Sequence, residues 1–367
     1  MGFNCGIVGL PNVGKSTLFN ALTSTMAAQA ANYPFCTIEP NVGRVAVPDE
    51  RLEKLSALAK SQKTIHTQLE FVDIAGLVRG ASRGEGLGNQ FLANIREVDA
   101  VVHVLRCFEN GDITHVEGSI DPVRDAETIE TELMLADLES LERRIVPIEK
   151  KAKSGEKDAK VQMSVMEPVL EALKAGKPAR SVSFDDEERQ KIYHQLFLLT
   201  AKPILYVCNV DEASAATGNA FSEKVFERAE KEGNQAVVIS AAIEAEVALL
   251  NDPEEQKVFL EDLGLQETGL NRVIHAGYRL LDLKTFFTVG PKEARAWTIR
   301  SGMLAPQAAG VIHTDFEKGF IRAEVISCDD FISCGSEARA RELGKLRSEG
   351  KTYEMQDGDI CHFLFNV

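Results

Sequence analysis

The stretch GLPNVGKST, residues 9–17, decides the fold. It follows the apolar segment CGIV, residues 5–8, and precedes the helix-like segment LFNAL, residues 18–22. A buried strand, a glycine-bounded loop and a helix start in this order form a cradle in which backbone N–H groups and the positive end of the helix dipole face a phosphate. The stretch therefore predicts an α/β fold that binds a nucleoside triphosphate.

The residues of this loop predict how the triphosphate is held. The ammonium group of Lys15 would reach the β- and γ-phosphates, and the hydroxyl of Ser16 would bind Mg²⁺. Gly14 permits the backbone angles that turn successive N–H groups towards the phosphates. The predicted nucleotide-binding residues of the loop are Asn12, Val13, Gly14, Lys15, Ser16 and Thr17.

Two later segments indicate a switch that responds to a γ-phosphate. Thr37 lies in NYPFCTIEPN, residues 32–41, where two prolines disfavour a helix. A threonine there can bind Mg²⁺ only while a γ-phosphate is present. The β-like run LEFVDIAG, residues 69–76, ends in Asp-x-x-Gly, which would place Asp73 at the water shell of the metal and the N–H of Gly76 at the γ-phosphate. Such loops become ordered when a triphosphate binds.

Two buried-strand patterns further along the chain predict loops that contact the base. PILYVCN, residues 203–209, ends in Asn209, and VVISA, residues 237–241, includes Ser240 close to its end. Both segments end where a base-contacting loop belongs. We therefore expect Asn209, Val210, Glu212 and Ser240 near the base.

These segments together resemble the GTPase-type switch fold and, within it, the YchF or Obg-like ATPase family. The most specific blocks are DIAGLVRGASRGEGLGNQFL at 73–92, NVDE at 209–212 and APQAAGVIHTDFEKGFIRAEVI at 305–326. Because the blocks are far apart, the resemblance covers nearly the whole chain. It implies ATP as the substrate, and the ribosome with its rRNA as the partner. We expect a monomer.

The segment NVDE departs from the Asn-Lys-x-Asp pattern of GTP-specific relatives. The lysine position is Val210 and the aspartate position is Glu212. A carboxylate that is one methylene longer cannot take the same bidentate pose on guanine, and losing such a pairing can cost ~10⁴-fold in discrimination. Backbone groups around Asn209 and Val210 would suit adenine. A solvated Glu212 with poor selectivity is the alternative interpretation, and a GTPase or dual-specificity switch stays open.

A second departure concerns the attacking water. Ras-type switches have a glutamine directly after Asp-x-x-Gly, but here Leu77 follows Gly76, and a leucine cannot hold a water. The resemblance points instead to His115, which follows a polar, flexible-looking segment, although an ordinary surface-loop role is equally compatible with the sequence. His103, within an apolar strand, is expected to be a core residue. The predicted catalytic residues are His115, Lys15, Asp73 and Gly76, and the predicted metal ligands are Ser16, Thr37 and Asp73.

Asn12 has two interpretations. Related switches with an asparagine at this place bind a monovalent cation, which suggests K⁺. An asparagine in a turn also shapes the loop through a hydrogen bond from its side chain to the backbone. The sequence leaves both open.

Composition predicts a cytoplasmic multidomain enzyme. The 367 residues favour two or three domains, and a content of 44% hydrophobic residues is enough for each domain to form a hydrophobic core. No stretch approaches ~20 consecutive apolar residues, and the chain starts directly with a strand pattern rather than a signal, so we expect no membrane contact. The seven cysteines contain no Cys-x-x-Cys pair and are expected to be reduced.

Between the switch segments and the base-binding segments, two apolar seams predict an antiparallel helical hairpin, or coiled coil, over residues 125–200. The seams follow helical spacing and are joined by KAKSGEK, residues 151–157. Lysines are concentrated near the tip, where they form a solvated face or an RNA contact. The seams consist of Met134, Leu138, Leu141, Ile145 and Ile148, and of Ala159, Met163, Met166, Leu170 and Leu173.

The C-terminal part, residues 283–367, is expected to be a β-grasp module of the TGS type. It contains β-like runs and an Arg-rich helical stretch from about 336 to 347. With 11 basic and 12 acidic residues in this part, nearly all of the net charge of −15 lies upstream, so RNA contacts would need local basic patches. The candidates are Lys318, Arg322, Arg339, Arg341, Lys345 and Arg347. The nucleotide domain would comprise residues 1–124 and 201–282.

The sequence thus predicts a Mg²⁺-dependent ATPase switch that couples its nucleotide state to translation or stress regulation. Leu77 and the glycine-rich stretch 79–88 would loosen after hydrolysis. A metabolic kinase would need an arginine-bearing lid and has no use for Thr37. A nucleotide-sensing RNA-binding module with negligible turnover is compatible with Leu77 and stays an alternative.

Overall fold

The structure, a computed structural model, describes residues 3–30, 41–74, 87–112, 114–116, 118–250 and 252–366. Its internal contacts separate two compact units. The larger unit comprises Phe3–Gly43 and Glu70–Gly277, and the smaller unit comprises Arg44–Leu69 and Tyr278–Val367. Within the described residues, no helix is both long and apolar enough to cross a membrane.

The described part of the chain forms two sheets and a set of α-helices. The strands are β1 (Asn4–Val8), β2 (Val42–Ala46), β3 (Thr64–Ile65), β4 (Gln68–Asp73), β5 (Ala100–Arg106), β6 (Ile204–Asn209), β7 (Gln235–Ile239), β8 (Leu283–Val289), β9 (Ala294–Arg300), β10 (Phe320–Ser327), β11 (Arg347–Glu349) and β12 (Asp359–Phe365). The helices are α1 (Lys15–Ala30), α2 (Glu50–Ala59), α3 (Leu87–Glu97), α4 (Pro122–Lys153), α5 (Lys157–Lys174), α6 (Glu187–Gln195), α7 (Ala220–Glu232), α8 (Ala241–Val247), α9 (Pro253–Asp262), α10 (Gly269–Leu280), α11 (Ala305–Ile312), α12 (Thr314–Lys318), α13 (Cys328–Cys334) and α14 (Glu337–Glu342).

The first sheet has the strand order β2-β4-β1-β5-β6-β7. β1 pairs in parallel with β4 and β5, and β5, β6 and β7 continue the parallel arrangement. Every residue of β5 and β6 is buried, which is typical of parallel strands covered by helices on both faces. Because parallel strands end at one edge of a sheet, the carboxyl ends of β1, β4, β6 and β7 lie at the same edge.

A helical hairpin is inserted between β5 and β6. α4 is 32 residues long, and only residues 154–156 separate it from α5. Both helices contain a proline, Pro147 and Pro168, and continue through it. Eight of the ten side chains in the two predicted seams belong to one apolar cluster or pack against it, including Leu141, Met166 and Leu173. Ala159 and Met163 are buried but are not part of that cluster.

A buried carboxylate fixes the hairpin to the chain that returns to the sheet. Asp137 of α4 is 1% exposed and accepts hydrogen bonds from the backbone N–H groups of Leu199 and Thr200 at 2.8 and 2.7 Å. The hydroxyl of Thr200 donates to the same carboxylate at 2.7 Å. Three donors therefore satisfy a charge that would be costly to bury alone.

The smaller unit is built on the second sheet, with the strand order β11-β10-β12-β8-β9-β3. β8 and β9 form an antiparallel hairpin, as the sequence predicts, and β12 pairs in parallel with β8 and antiparallel with β10. One apolar cluster includes α11, and another includes α2 and α13. This mixed sheet with helices includes the C-terminal segment for which the sequence predicts a β-grasp module of the TGS type.

Residues 44–69 lie in the smaller unit, although the sequence analysis counted them with the nucleotide domain. Leu52 and Leu55 of α2 are fully buried in the cluster that contains Phe287. β3 adds a two-residue edge to β9, and Arg51 pairs with Asp357 at 2.6 Å. These contacts join segments that are far apart in the chain, and a local pattern cannot reveal them.

The Arg-rich helical stretch is shorter than predicted. α14 ends at Glu342, and Gly344 has a φ of +69°, a left-handed conformation that commonly ends helices. Arg347 begins β11 and is paired with Val325 of β10. The prediction of one helix up to residue 347 is therefore wrong, because the glycine that ends the helix lies within the basic run.

His103 lies on β5 and is 3% exposed, in agreement with the expected core role. Its ring centroid lies 5.9 Å from that of Tyr206. Burial, with the nearby charges of Arg228 and Arg180, lowers the pKa of His103 to about 3. The ring therefore stays neutral in the folded protein around pH ~6.5, where a histidine in the unfolded chain becomes charged.

Acid should destabilise the fold through His103. In the unfolded chain this histidine has a pKa of ~6.5 and takes up a proton below that pH, whereas in the folded chain it stays neutral. The free energy of unfolding is therefore largest above pH ~6.5 and decreases as the pH falls towards 3. Between pH 7.5 and 5 the loss should be about 2 kcal/mol. His103→Gln should remove this part of the loss in urea unfolding followed by circular dichroism, whereas the exposed His194→Gln should keep it. Equal pH dependence in all three proteins would contradict the prediction.

Candidate functional site

The loop between β1 and α1 has the close backbone geometry that a phosphate cradle needs. Gly14 has a φ of +93° and Asn12 a φ of +65°. A Cβ on Gly9 would lie 2.8 Å from the carbonyl oxygen of Val104, so only glycine fits there. α1 begins at Lys15 and has no acidic residue in its first turn. The positive end of the helix therefore keeps its attraction for an anion.

Lys15 and Asp73 meet at the carboxyl ends of β1 and β4. The ammonium group of Lys15 forms an ion pair with the carboxylate of Asp73, and the two side chains are 12% and 18% exposed. The backbone N–H of Asp73 donates to the carbonyl of Asn41 at 2.8 Å. The structure thus brings together two predicted site residues that are 58 positions apart. Thr37, Gly76 and Leu77 lie outside the described residues.

Asn209 joins the phosphate loop to the predicted base-binding segments. Its side-chain N–H₂ donates to the carbonyl oxygen of Val13 at 2.9 Å, and its side-chain oxygen accepts from the N–H of Ala241 at 2.9 Å. The residue is 4% exposed. A Cβ on Gly14 would lie well inside 3.0 Å of the same amide nitrogen. Asn209 therefore acts on the site through its side chain, whereas the sequence analysis considered its backbone.

The other base-binding candidates differ in exposure. Val210 is 3% exposed, and its N–H donates to the carbonyl of Ile239 at 2.8 Å. Glu212 is exposed, whereas Asp211 accepts a hydrogen bond from Ser214 N–H at 2.9 Å. The hydroxyl oxygen of Ser240 is buried and finds no hydrogen-bond partner within the described residues. An unpaired buried hydroxyl at the end of β7 suits a polar ligand.

His115 is buried, in contrast to the flexible loop position that the sequence suggests. Its Nε2 lies 2.8 Å from the carboxylate of Asp125, in the first turn of α4. Burial raises the pKa of Asp125, and His115 and Arg124 oppose that rise. The preceding residue, Thr114, accepts a hydrogen bond through its carbonyl from the side chain of Asn12 at 3.1 Å. The segment that carries His115 is therefore attached to the phosphate loop.

The donor set fits a hard divalent cation. Ser16 is exposed at the start of α1 and offers a hydroxyl, and Asp73 offers a carboxylate. Mg²⁺ prefers such oxygen ligands together with phosphate oxygens and water. The amide of Asn12 is used in the contact with Thr114, which agrees with its loop-shaping interpretation.

Asp125 is a residue that the sequence analysis missed. The run DPVRD, residues 121–125, has an aspartate cap followed by proline, a signal for a helix start. That signal would have placed Asp125 in the first turn of a helix. A single sequence contains nothing that pairs this carboxylate with His115, because the intervening loop is irregular.

Most of the basic residues proposed as an RNA contact in the smaller unit have acidic partners. The exceptions are Lys318 and Arg339, which have no acidic partner within 4 Å in the described part of the chain. Ion pairs on the surface contribute little stability, but they reduce the local positive charge. The pairs are Arg322 with Glu324, Arg341 with Glu324 and Glu337, Lys345 with Asp330, and Arg347 with Glu349.

Two protein families match the chain. The YchF-GTPase_C family, described as a protein of unknown function (DUF933), matches residues 283–366. A family described as a 50S ribosome-binding GTPase matches residues 4–136. The first match covers the second sheet except β3, and the second covers the phosphate loop and the start of α4.

Curated relatives match over their whole length. Proteins named ribosome-binding ATPase YchF are 60% identical in Haemophilus ducreyi, 57% identical in Escherichia coli O157:H7 and 54% identical in Bacillus subtilis, each over 100% of both chains. The solved structure of the Schizosaccharomyces pombe YchF GTPase is 38% identical, covers 99% of this chain and 98% of its own, and superposes with a TM-score of 0.88.

Gly14→Ala should weaken nucleotide binding strongly. The new Cβ would force the Asn209 amide away from Val13, and displacements of this size can cost about 10²-fold. Gly155→Ala is a matched control, because Gly155 has a φ of +96° but nothing within 4 Å of an added Cβ. The control should lose about 1 kcal/mol of stability and keep its affinity. Calorimetric titration with ATP checks both, and normal affinity in Gly14→Ala would refute the assigned geometry.

Proposed function

The chain belongs to the YchF family, and from this premise we propose that it is an ATP-hydrolysing switch that binds ribosomes. The observation that carries the proposal is the phosphate loop, in which Lys15 starts α1, contacts Asp73 and is flanked by the bridge from Asn209 to Val13. Full-length relatives named ribosome-binding ATPases support the same function. The reaction transfers the γ-phosphoryl group of ATP to water.

Mg²⁺ is the proposed cofactor. Ser16, Thr37 and Asp73 would hold it, directly or through water, and Lys15 would contact the phosphates. When bound, the ion supplies positive charge against the charge that develops on the β- and γ-phosphates. The N–H groups of the loop and the start of α1 add fixed donors whose orientation the bridge from Asn209 maintains. A K⁺ ion beside Asn12 is part of the same hypothesis.

Adenine preference is the second part of the proposal. The position where GTP-specific relatives have lysine holds the buried Val210, so no charged stem covers the base from there. Glu212 is exposed rather than held against a ring. The buried hydroxyl of Ser240 and the backbone around Val210 then supply the polar contacts. These groups suit the donor and acceptor edge of adenine, which needs no carboxylate.

His115 is the proposed group that positions the attacking water. Leu77 cannot do so, and the hydrogen bond from Asn12 to Thr114 keeps the His115 segment next to the phosphate loop. In the structure the ring contacts Asp125, and the proposal keeps this contact during hydrolysis. A shift of the segment around residue 115 together with the first turn of α4 would be the step at which a bound partner acts.

Ribosome binding is the proposed output, with regulation of translation or of a stress response as its consequence. Binding to rRNA would use basic side chains such as Lys318 and Arg339, and the exposed lysines at the hairpin tip. The protein would act in the cytoplasm as a monomer. With a net charge of −15, contact with RNA has to be local, and it should weaken as salt is added.

Base preference should shift when the guanine-binding pair is restored. Glu212→Asp with Val210→Lys supplies the shorter carboxylate and the lysine stem, so the ratio of ATP to GTP affinity should fall. Because Val210 is buried, the single variant Glu212→Asp controls for the disturbance that the new lysine causes. Competition titrations measure the ratio. If the ratio stays unchanged in both variants, Ser240 and the backbone determine specificity.

Hydrolysis should depend on His115. His115→Ala is expected to keep ATP affinity within a few-fold but to lose about 10²-fold in turnover, because a positioning group contributes that much. Phosphate release with and without purified ribosomes measures the effect, which should be largest with ribosomes. Lys15→Ala should instead lose binding, and His362→Ala, an exposed histidine, should behave as the parent. Parental turnover of His115→Ala in both conditions would make the histidine a bystander.

A further inference from the structure

The contact between His115 and Asp125 is buried and specific. The two side chains are 5% and 1% exposed, and Nε2 of the imidazole lies 2.8 Å from Oδ2 of the carboxylate. The two residues are ten positions apart and His115 precedes α4, so the contact is not a consequence of helical spacing. A pair of polar groups at this depth is retained only when both are well oriented.

The carboxylate of Asp125 is fixed from a second side. Nη2 of Arg124 lies 3.4 Å from Oδ1, and the same guanidinium group donates to the carbonyl and hydroxyl of Ser119 at 2.6 and 2.9 Å. Arg106 of β5 and Cys107, which follows it, are the other titratable groups influenced by this carboxylate. A carboxylate beside the guanidinium group of Arg124 is a hydrogen-bond acceptor, so Nε2 of His115 is the donor in this contact.

Helix capping does not account for Asp125. The cap of α4 is Asp121, whose carboxylate accepts from the backbone N–H of Arg124 at 3.2 Å. Within the described residues, the carboxylate of Asp125 accepts from side chains alone, those of His115 and Arg124. The hydrogen bonds of its carboxylate are therefore directed to the imidazole and the guanidinium group and not to backbone N–H groups of the helix end.

The neighbouring residue is attached to the phosphate loop. Thr114 accepts from the amide of Asn12 at 3.1 Å, so consecutive residues are held by the phosphate loop on one side and by α4 on the other. The direction of the His115 ring is thus defined relative to the cradle.

We propose that Asp125 is a positioning residue for hydrolysis: its carboxylate selects the Nε2–H tautomer of His115 and sets the direction of the ring. The proposal rests on the proposed function, since it gives His115 the task of accepting a hydrogen bond from the attacking water. A carboxylate that holds an imidazole in one tautomer is a recurrent device in hydrolytic sites. Asp125 itself contacts neither substrate nor water.

The test compares Asp125→Asn with Asp137→Asn. Both remove a buried carboxylate from α4, but Asp137 contacts Leu199 and Thr200 and not His115. Nitrogen-15 NMR of the full chain reports the tautomer of His115, whose signals are assigned by their loss in His115→Gln. The parent and Asp137→Asn should show a protonated Nε2 and a lone pair on Nδ1. Asp125→Asn should show a mixture or the opposite tautomer.

Kinetics supplies the second readout. Asp125→Asn should lower kcat for ATP by about 10²-fold with KM within a few-fold, and Asp137→Asn should retain the kcat of the parent. Asp125→Glu, which keeps the charge, should recover part of the loss. Thermal unfolding of each variant separates this effect from general destabilisation.

Three results would overturn the proposal. The first is a parent ring with the proton on Nδ1, which remains measurable even if Asp125→Asn does not fold. The second is an unchanged tautomer in Asp125→Asn. The third is a parental kcat in Asp125→Asn while His115→Ala is inactive. Normal turnover of His115→Ala is a different failure, because it removes the catalytic part of the proposed function whatever the NMR spectra show.

Discussion

The side-chain amide of Asn209 forms a buried hydrogen bond through its N–H₂ group and another through its oxygen, and the nucleotide site depends on these two bonds. The N–H₂ group donates to the carbonyl of Val13 in the phosphate loop, and the oxygen accepts from the N–H of Ala241 at the start of α8. Removing the amide would leave a donor and an acceptor unpaired in a buried place, which costs more than a hydrogen bond is worth on balance. The glycine at position 14 follows from the same contact, since any Cβ there would occupy the space of the amide.

The phosphate loop is locally positive, although the chain as a whole carries a negative net charge. The net charge of −15 repels a triphosphate at long range, but salt screens that repulsion beyond ~8 Å. At short range Lys15 and the uncompensated start of α1 attract the phosphates. Lys15 and Asp73 balance each other's charge in the structure, and in the proposed complex a triphosphate with its metal would offer each of them a new partner of the correct sign. One set of paired charges would then replace another without leaving a buried charge alone.

The sequence predicts those parts of the molecule that local patterns determine. A glycine-bounded loop between a strand and a helix, fully apolar parallel strands and two helical seams are all periodic or contiguous signals, and the structure contains each of them. The burial of His115 could not be predicted in this way, because it depends on Asp125 reaching it across an irregular loop. The attachment of residues 44–69 to the second sheet depends likewise on α2 packing against strands more than 200 positions away. Contacts between residues that are distant in the sequence produce no periodic pattern, so a single sequence does not predict them.

The insertion point of the hairpin explains how such a long element can serve a small site. β5 leads into the His115 segment and then into α4, whose first turn carries Asp125. At the other end Asp137 holds residues 199 and 200, directly before β6 and its terminal Asn209. With 32 residues, α4 extends about 48 Å, so the hairpin tip lies far from Asp125 in the first turn. The inserted segment is therefore connected near its start through Asp125 and His115, and at its end through Asp137 and residues 199 and 200, to the chain beside β5 and β6.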